Sequence, residues 1–67
     1  MVKRMTVTRA KVQVGDVFIS GIGQPFFRVE RIDVARARGY LIFTGTPLLP
    51  AVPTTCGGHK SGTVTLD

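Results

Sequence analysis

Residues 12–34 read VQVGDVFISGIGQPFFRVERIDV, and the rest of the chain is predicted to fold around this segment. Two runs in which apolar and polar residues alternate lie on either side of a glycine-rich segment at residues 20–23. Alternation with a period of two is typical of strands with one buried face. The two glycines supply positive φ angles at little steric cost, and Pro25 cannot donate to a sheet ladder. The pattern therefore predicts two strands joined by a turn, with the second strand starting just after Pro25.

In the second predicted strand, the alternation of apolar and polar residues changes phase partway along. Phe27 and Val29 share one parity, whereas Ile32 and Val34 share the other. One extra residue near Glu30 and Arg31 would restore a single apolar face, so the sequence predicts a β-bulge there. A bulge bends a strand and helps a small sheet to curl.

The remaining residues also favour strands over helices. Residues 1–8 alternate and predict a first strand, residues 35–39 predict a basic hairpin tip, and residues 40–44 form the most continuously apolar strand. Residues 46–62 are rich in proline and glycine and predict an irregular, extended loop. Residues 63–66 alternate again and predict a short last strand that pairs with the first. The fold class is therefore all-β.

Size and composition set further bounds. A chain of 67 residues with a net charge of +5 has room for one domain, residues 1–67, and its excess of cations favours polyanionic partners. A single cysteine excludes an intrachain disulfide and fits a reducing, cytoplasmic location. No apolar stretch is long enough to span a membrane. Because a core this small stabilises a fold only narrowly, a homo-oligomer is one hypothesis.

The order of the predicted strands resembles that of SH3-like small barrels, including KOW-type modules. The resemblance is carried by VQVGDVFI at residues 12–19 and by Phe-Arg-Val at residues 27–29, and it covers residues 7–66. It implies a five-stranded, partly open barrel with the proline-rich loop before the last strand. Families with this appearance include nucleic-acid-binding and peptide-binding modules. Small barrels of this kind are abundant in phages and plasmids, which suggests a phage or mobile-element origin.

The first functional hypothesis is that the chain binds DNA or RNA. Arg36 and Arg38 are two residues apart at the predicted hairpin tip, and Tyr40 follows with the same parity. Guanidinium groups can grip phosphates while a tyrosine ring offers a stacking surface. The alternative is a solvated turn with Tyr40 in the core. Further cations could extend the patch if the first strand lies alongside: Lys3, Arg4, Arg9 and Lys11.

The second hypothesis is a protein-interaction module, such as an accessory protein that acts on a host protein. Phe26 and Phe27 point to opposite faces of a strand, and Phe27 is the one predicted for the core. An exposed Phe26 could contact a partner together with the apolar residues of the proline-rich arm, Leu48, Leu49 and Val52. Alternatively, the arm covers Phe26 within the same chain.

The sequence gives little support for catalysis or for a cofactor. Cys56 and His59 provide only half of a zinc site, which a symmetric dimer could complete, and a glycine-rich loop would not hold them as a catalytic pair. The glycines at residues 21–23 precede no helix that could receive a phosphate. We therefore expect no enzyme activity, no bound metal and no cofactor.

Overall fold

A computed structural model describes residues 4–67 as one antiparallel sheet of six strands with a short 3-10 turn. Hydrogen-bonded neighbours follow the order β1-β6-β2-β3-β4-β5, so the last strand lies between the first two. The elements are β1 at Met5–Thr8, the 3-10 turn at Arg9–Lys11, β2 at Val17–Ile19, β3 at Pro25–Val34, β4 at Tyr40–Pro47, β5 at Thr55–His59 and β6 at Thr63–Leu66.

The all-β prediction is confirmed, but the sheet has six strands rather than five and does not close into a barrel. The additional strand is β5, which lies inside the segment 46–62 that was expected to be irregular. That segment also gives its first two residues to β4, so only residues 48–54 separate two strands. The sheet stays open because its first and last strands, β1 and β5, do not pair. Inside it, β2 and β6 pair at a single position, Phe18 opposite Leu66. β1 and β5 are left as the two edges.

The predicted bulge in β3 is confirmed. Val29 is paired with Gly45, whereas Arg31 is paired with Thr44, which leaves Glu30 as the inserted residue. The Glu30 carboxylate accepts a hydrogen bond of 2.5 Å from the hydroxyl of Thr46 across the strand pair. The bulge brings Ile32 against the same core as Phe27 and Val29, as the change of parity required. Val34, which shares the parity of Ile32, is 81% exposed at the end of the strand, so its predicted place on the apolar face is wrong.

The core is built on four phenylalanines. Phe27 and Phe43 are 0% and 1% exposed, and the Phe18 ring lies 5.8 Å and 5.3 Å from their ring centroids. Phe26 packs on the edge of this cluster, 6.1 Å from Phe18. Residues 40–44 were expected to form the most buried strand, but Phe43 alone among them is fully buried. The other face of β4 lies towards solvent, so its apolar run is only half-buried.

The 3-10 turn brings the two edges of the sheet close together at one end. The predicted pairing of the first and last strands is confirmed, and the backbone N–H of Arg9 extends it by donating to Gly62 at 2.8 Å. The N–H of Ala10 donates to Lys60 at 3.2 Å. The Arg9 guanidinium donates to the carbonyl of His59, the last residue of β5, at 3.1 Å. Arg9 therefore links β1 to β5 although the two strands do not pair.

Candidate nucleic-acid interface

The hairpin between β3 and β4 forms the tip that the sequence predicted. The N–H of Ala35 donates to Tyr40 at 3.0 Å, and the N–H of Tyr40 donates to Ala37 at 3.1 Å. Gly39 has φ of +80°, a conformation that L residues rarely adopt, which explains the glycine at this point. Arg36 and Arg38 are both exposed at this tip.

The turn between β5 and β6 lies directly against this hairpin. The N–H of Lys60 donates to the carbonyl of Gly39 at 2.7 Å, and His59 is paired with Tyr40. Lys60 and His59 thereby join the residues of the tip. The sequence predicts a loop for both residues and suggests only a half zinc site for His59, because the pairing of β5 with β4 has no local sequence signal. The only local signal for a site here was the positive charge of Lys60, which lies close to the glycine pair at residues 57–58.

An aromatic pair lies at the centre of this end of the sheet. The rings of Tyr40 and His59 are edge to face, with centroids 5.3 Å apart and an interplanar angle of 89°. Tyr40 is 45% exposed, so the alternative that placed it in the core is wrong; its role as a stacking surface stays a prediction. The Nδ1 atom of His59 lies 2.6 Å from the Ser61 hydroxyl and accepts the Ser61 N–H at 3.1 Å. These contacts fix the orientation of the imidazole.

Arg9 contributes its charge from a half-buried position. Its guanidinium fills the space above Gly58, where an added Cβ would lie 2.5 Å from Cζ. It also lies beside Cys56, whose pKa is raised by burial and lowered to a smaller extent by the Arg9 charge. Arg9 therefore supports this end of the sheet more than it offers a free cation to a ligand.

The remaining predicted cations are not all at the same place. Arg4 donates to the carbonyl of Gly23 at 2.6 Å, beside the turn between β2 and β3. It precedes Arg9 by five residues of extended chain, which is about 17 Å. Lys3 lies outside the described residues. Lys11 is exposed and follows Ala10, which bonds to Lys60. We call the following group the basic end: Lys11, Arg36, Arg38, Tyr40, His59 and Lys60.

Three of the four acidic side chains are engaged elsewhere. Asp33 forms an ion pair with Arg31 at 2.9 Å, and Asp16 accepts the N–H of Gln13 at 2.7 Å within its own turn. Glu30 is held by Thr46, as described above. Among residues 4–67, the exposed cations of the basic end form no ion pair with a carboxylate. Their charge is therefore available to an anionic ligand.

The residues of the protein-binding hypothesis meet on another part of the surface. Phe26, Leu49 and Val52 line an open groove of about 680 Å³ where β2 and β6 diverge, with Phe18 and Val64 also in its wall. The proline-rich arm lies beside Phe26: the N–H of the first arm residue after β4 donates to the Phe26 carbonyl at 2.9 Å. That residue, Leu48, is 37% exposed and does not line the groove.

Cys56 and His59 do not form a common site. They are three residues apart on β5, so their side chains leave opposite faces of the strand. Cys56 is paired with Phe43 and packs against the core, whereas His59 is exposed. Within the described part of the chain, no group of three or more His, Cys, Asp or Glu residues could hold a metal ion.

No protein-family model, curated protein or solved structure matches the chain. The resemblance to SH3-like barrels therefore depends on the order of the sequence elements alone, and the sheet topology replaces it as the description of the fold. None of the helices in residues 4–67 has the length and apolar character needed to cross a membrane.

Proposed function

We propose that this protein binds single-stranded nucleic acid through the basic end. The observation that carries the proposal is the contact between the N–H of Lys60 and the carbonyl of Gly39 at 2.7 Å. It joins two segments that are distant in sequence and places their cations beside the exposed Tyr40–His59 pair. The two arginines of the hairpin tip belong to the same surface.

The chemistry of the basic end suits a flexible strand with unpaired bases. Guanidinium and ammonium groups bind phosphates through charge-assisted hydrogen bonds. Stacking of a base on an aromatic ring is worth about 1–3 kcal/mol, and it requires that the base is free of its duplex partner. Tyr40 is 45% exposed and lies edge to face with His59, while Ser61 holds the neighbouring imidazole in place.

Salt dependence tests this proposal. With fluorescently labelled oligothymidine or oligouridine, three phosphate contacts from Arg36, Arg38 and Lys60 predict a slope of about −2 in log K against log salt. The double variant R36Q/R38Q should reduce the slope to about −0.7. Tyr40→Leu should lower affinity by about 5–150-fold with little change in slope, because stacking releases no counterions.

Arg28 provides the matched control for these variants. It is an exposed arginine on β3, paired with Val17 and Thr46 away from the hairpin tip. Arg28→Gln removes the same charge, so it should leave both affinity and slope nearly unchanged. Equal loss in R28Q and R38Q would show that binding reflects net charge alone. Absence of any complex at about 20 mM salt, or tighter binding to duplex than to single strands, would refute the proposal.

A second candidate function is binding of an apolar segment of a partner protein in the groove. The observation in its favour is that Phe26, Leu49 and Val52 line one concavity, whose volume is in the range of about 300–1,000 Å³ typical of binding sites. A peptide library selected on the wild-type protein and counter-selected on Leu49→Lys should yield an apolar consensus. Enrichment of nothing beyond background would remove this candidate. The phage or mobile-element origin stays a prediction.

A further inference from the structure

The outward face of the sheet continues from the aromatic pair of the basic end. Directly paired residues of an antiparallel sheet share a face, and so do residues two apart on one strand. Phe43 and Cys56 are paired and pack against the core, so the residues next to them on β4 and β5 face outward. We call the surface formed by the following residues the outer platform: Asp33 on β3, Tyr40 and Ile42 on β4, and Gly57 and His59 on β5.

The middle of the outer platform offers apolar surface next to Tyr40. Ile42 follows Tyr40 by two residues, about 6.8 Å along the strand. Its partner on β5 is Gly57, which is exposed and has no side chain on this face. The bond from Lys60 to Gly39 identifies Ile42 and Gly57 as a non-hydrogen-bonded pair, because the two kinds of pair alternate, and their Cα atoms are then about 4.5 Å apart. The half-buried Ile42 side chain therefore lies beside bare backbone, which leaves room for a planar group.

A carboxylate borders this apolar surface on the side of β3. Asp33 is paired with Ile42, and the Cβ atoms of paired residues are about 4.5–5.5 Å apart, so a planar group on Ile42 has one edge near Asp33. The Oδ2 atom of Asp33 lies 2.9 Å from the Nε of Arg31, which balances its charge, and the Asp33 side chain is 40% exposed. A carboxylate has about four acceptor sites and no donor. Asp33 can therefore accept a further hydrogen bond from an N–H group of a ligand.

We propose that the outer platform binds a second base beside the one on Tyr40, and that Asp33 selects a base with an amino group. This inference rests on the proposed binding of single-stranded nucleic acid. Sheets that bind RNA place two or three bases on side chains of one face. Cytosine, adenine and guanine carry an amino donor, whereas thymine and uracil carry none and present carbonyl oxygens, which a carboxylate repels. The preferred ligand is therefore a single strand that places an amino-bearing base over Ile42 and Gly57.

An added ring tests the second base position through a gain of affinity. Ile42→Tyr should tighten the binding of labelled oligocytidine by about 5-fold or more, because a base stacks on a ring more strongly than it packs on an aliphatic side chain. The ring has room, since an aromatic side chain packs well opposite a glycine in a sheet. Thr6→Tyr is the matched control: Thr6 is exposed on the outward face of β1, and three strands separate it from β4. An unchanged affinity in I42Y, or the same gain in T6Y, would overturn the second base position.

A comparison of two pyrimidines tests the role of Asp33 and does not depend on the folding of I42Y. The wild type should bind oligocytidine about 2–10-fold more tightly than oligothymidine, the range expected of one hydrogen bond. Asp33→Asn should abolish this preference, since an amide both donates and accepts. Because loss of a carboxylate also strengthens the attraction to every strand, the readout is the ratio of the two affinities. Asp67→Asn removes the same charge from an exposed residue beside β2 and should keep the ratio.

The failure of this inference is distinguishable from failure of the proposed function. A wild type without preference for cytosine, or loss of the preference in D67N as well as in D33N, would refute the selection by Asp33. If R36Q/R38Q and Tyr40→Leu weaken binding as expected while I42Y and D33N change nothing, the second base position fails and the basic end stands. If no single strand binds at low salt, both proposals fail.

Discussion

Gly45→Ala should destabilise the protein strongly, because Gly45 lies opposite the bulge of β3. A Cβ at this position would overlap the carbonyl oxygen of Arg28 and would lie 2.9 Å from its carbon and 3.1 Å from the nitrogen of Glu30. Normal contacts between carbon atoms are about 3.5–4.0 Å, so β3 and β4 would have to separate by at least about 0.5–1 Å. Overpacking costs about 1–3 kcal/mol, and the weakening of one ladder hydrogen bond adds about 1 kcal/mol.

The expected loss of about 2–4 kcal/mol is a large share of the stability of such a domain, which is about 3–10 kcal/mol for this length. Thermal unfolding followed by circular dichroism should show a decrease in Tm of about 10–30 °C. Gly21→Ala is the matched control, since a Cβ at Gly21 would meet no atom within 4 Å and its φ is not positive. Its Tm should change by a few degrees at most. Equal Tm values for the two variants would refute the assignment of the bulge.

Three further predictions concern the core and Arg9. Phe27→Ala should lower the free energy of unfolding by about 3–5 kcal/mol in urea denaturation, because the side chain is fully buried, and a loss below 1 kcal/mol would contradict the described core. Arg9→Ala should speed amide exchange in β1 and β5, because it removes the hydrogen bond to the His59 carbonyl. Unchanged exchange in both strands would contradict the link between β1 and β5 through Arg9. Burial raises the pKa of Cys56, and the raised pKa in the folded state means that the neutral thiol is favoured. The unfolding free energy should therefore decrease as pH rises above about 9, and a Cys56→Ser variant should lack this decrease; the same slope in both proteins would contradict it.

The bulge was predictable from sequence because it leaves a local signature. A fixed period of two changes phase between Val29 and Ile32, and only an inserted residue reconciles the two halves with one core. The hairpin tip was predictable for a similar reason, since Gly39 supplies the positive φ that closes it. In both cases the evidence lies within a few residues of the feature.

β5 was not predictable, because Thr-Cys-Gly-Gly-His has little intrinsic tendency to form a strand. Here the two glycines are required by neighbours that are distant in sequence. A side chain at Gly57 would overlap the Leu41 carbonyl, and one at Gly58 would displace the Arg9 guanidinium. Tertiary packing thus overrides propensity, and the position of Lys60 beside Gly39 depends on it. The basic end as a group could be found only from the fold.

The position of β6 between β1 and β2 governs when this sheet can form during synthesis. Within residues 4–67, β1 pairs with no strand other than Thr63–Leu66, and Leu66 completes the core beside Phe18. A nascent chain that lacks this segment can assemble the meander of β2 to β5, but it leaves β1 unpaired. Contacts between residues so distant in sequence also slow folding, because a long loop must close before they form. β1 therefore cannot pair until β6 has been synthesised, and the pairing of these two strands should be the last step of folding.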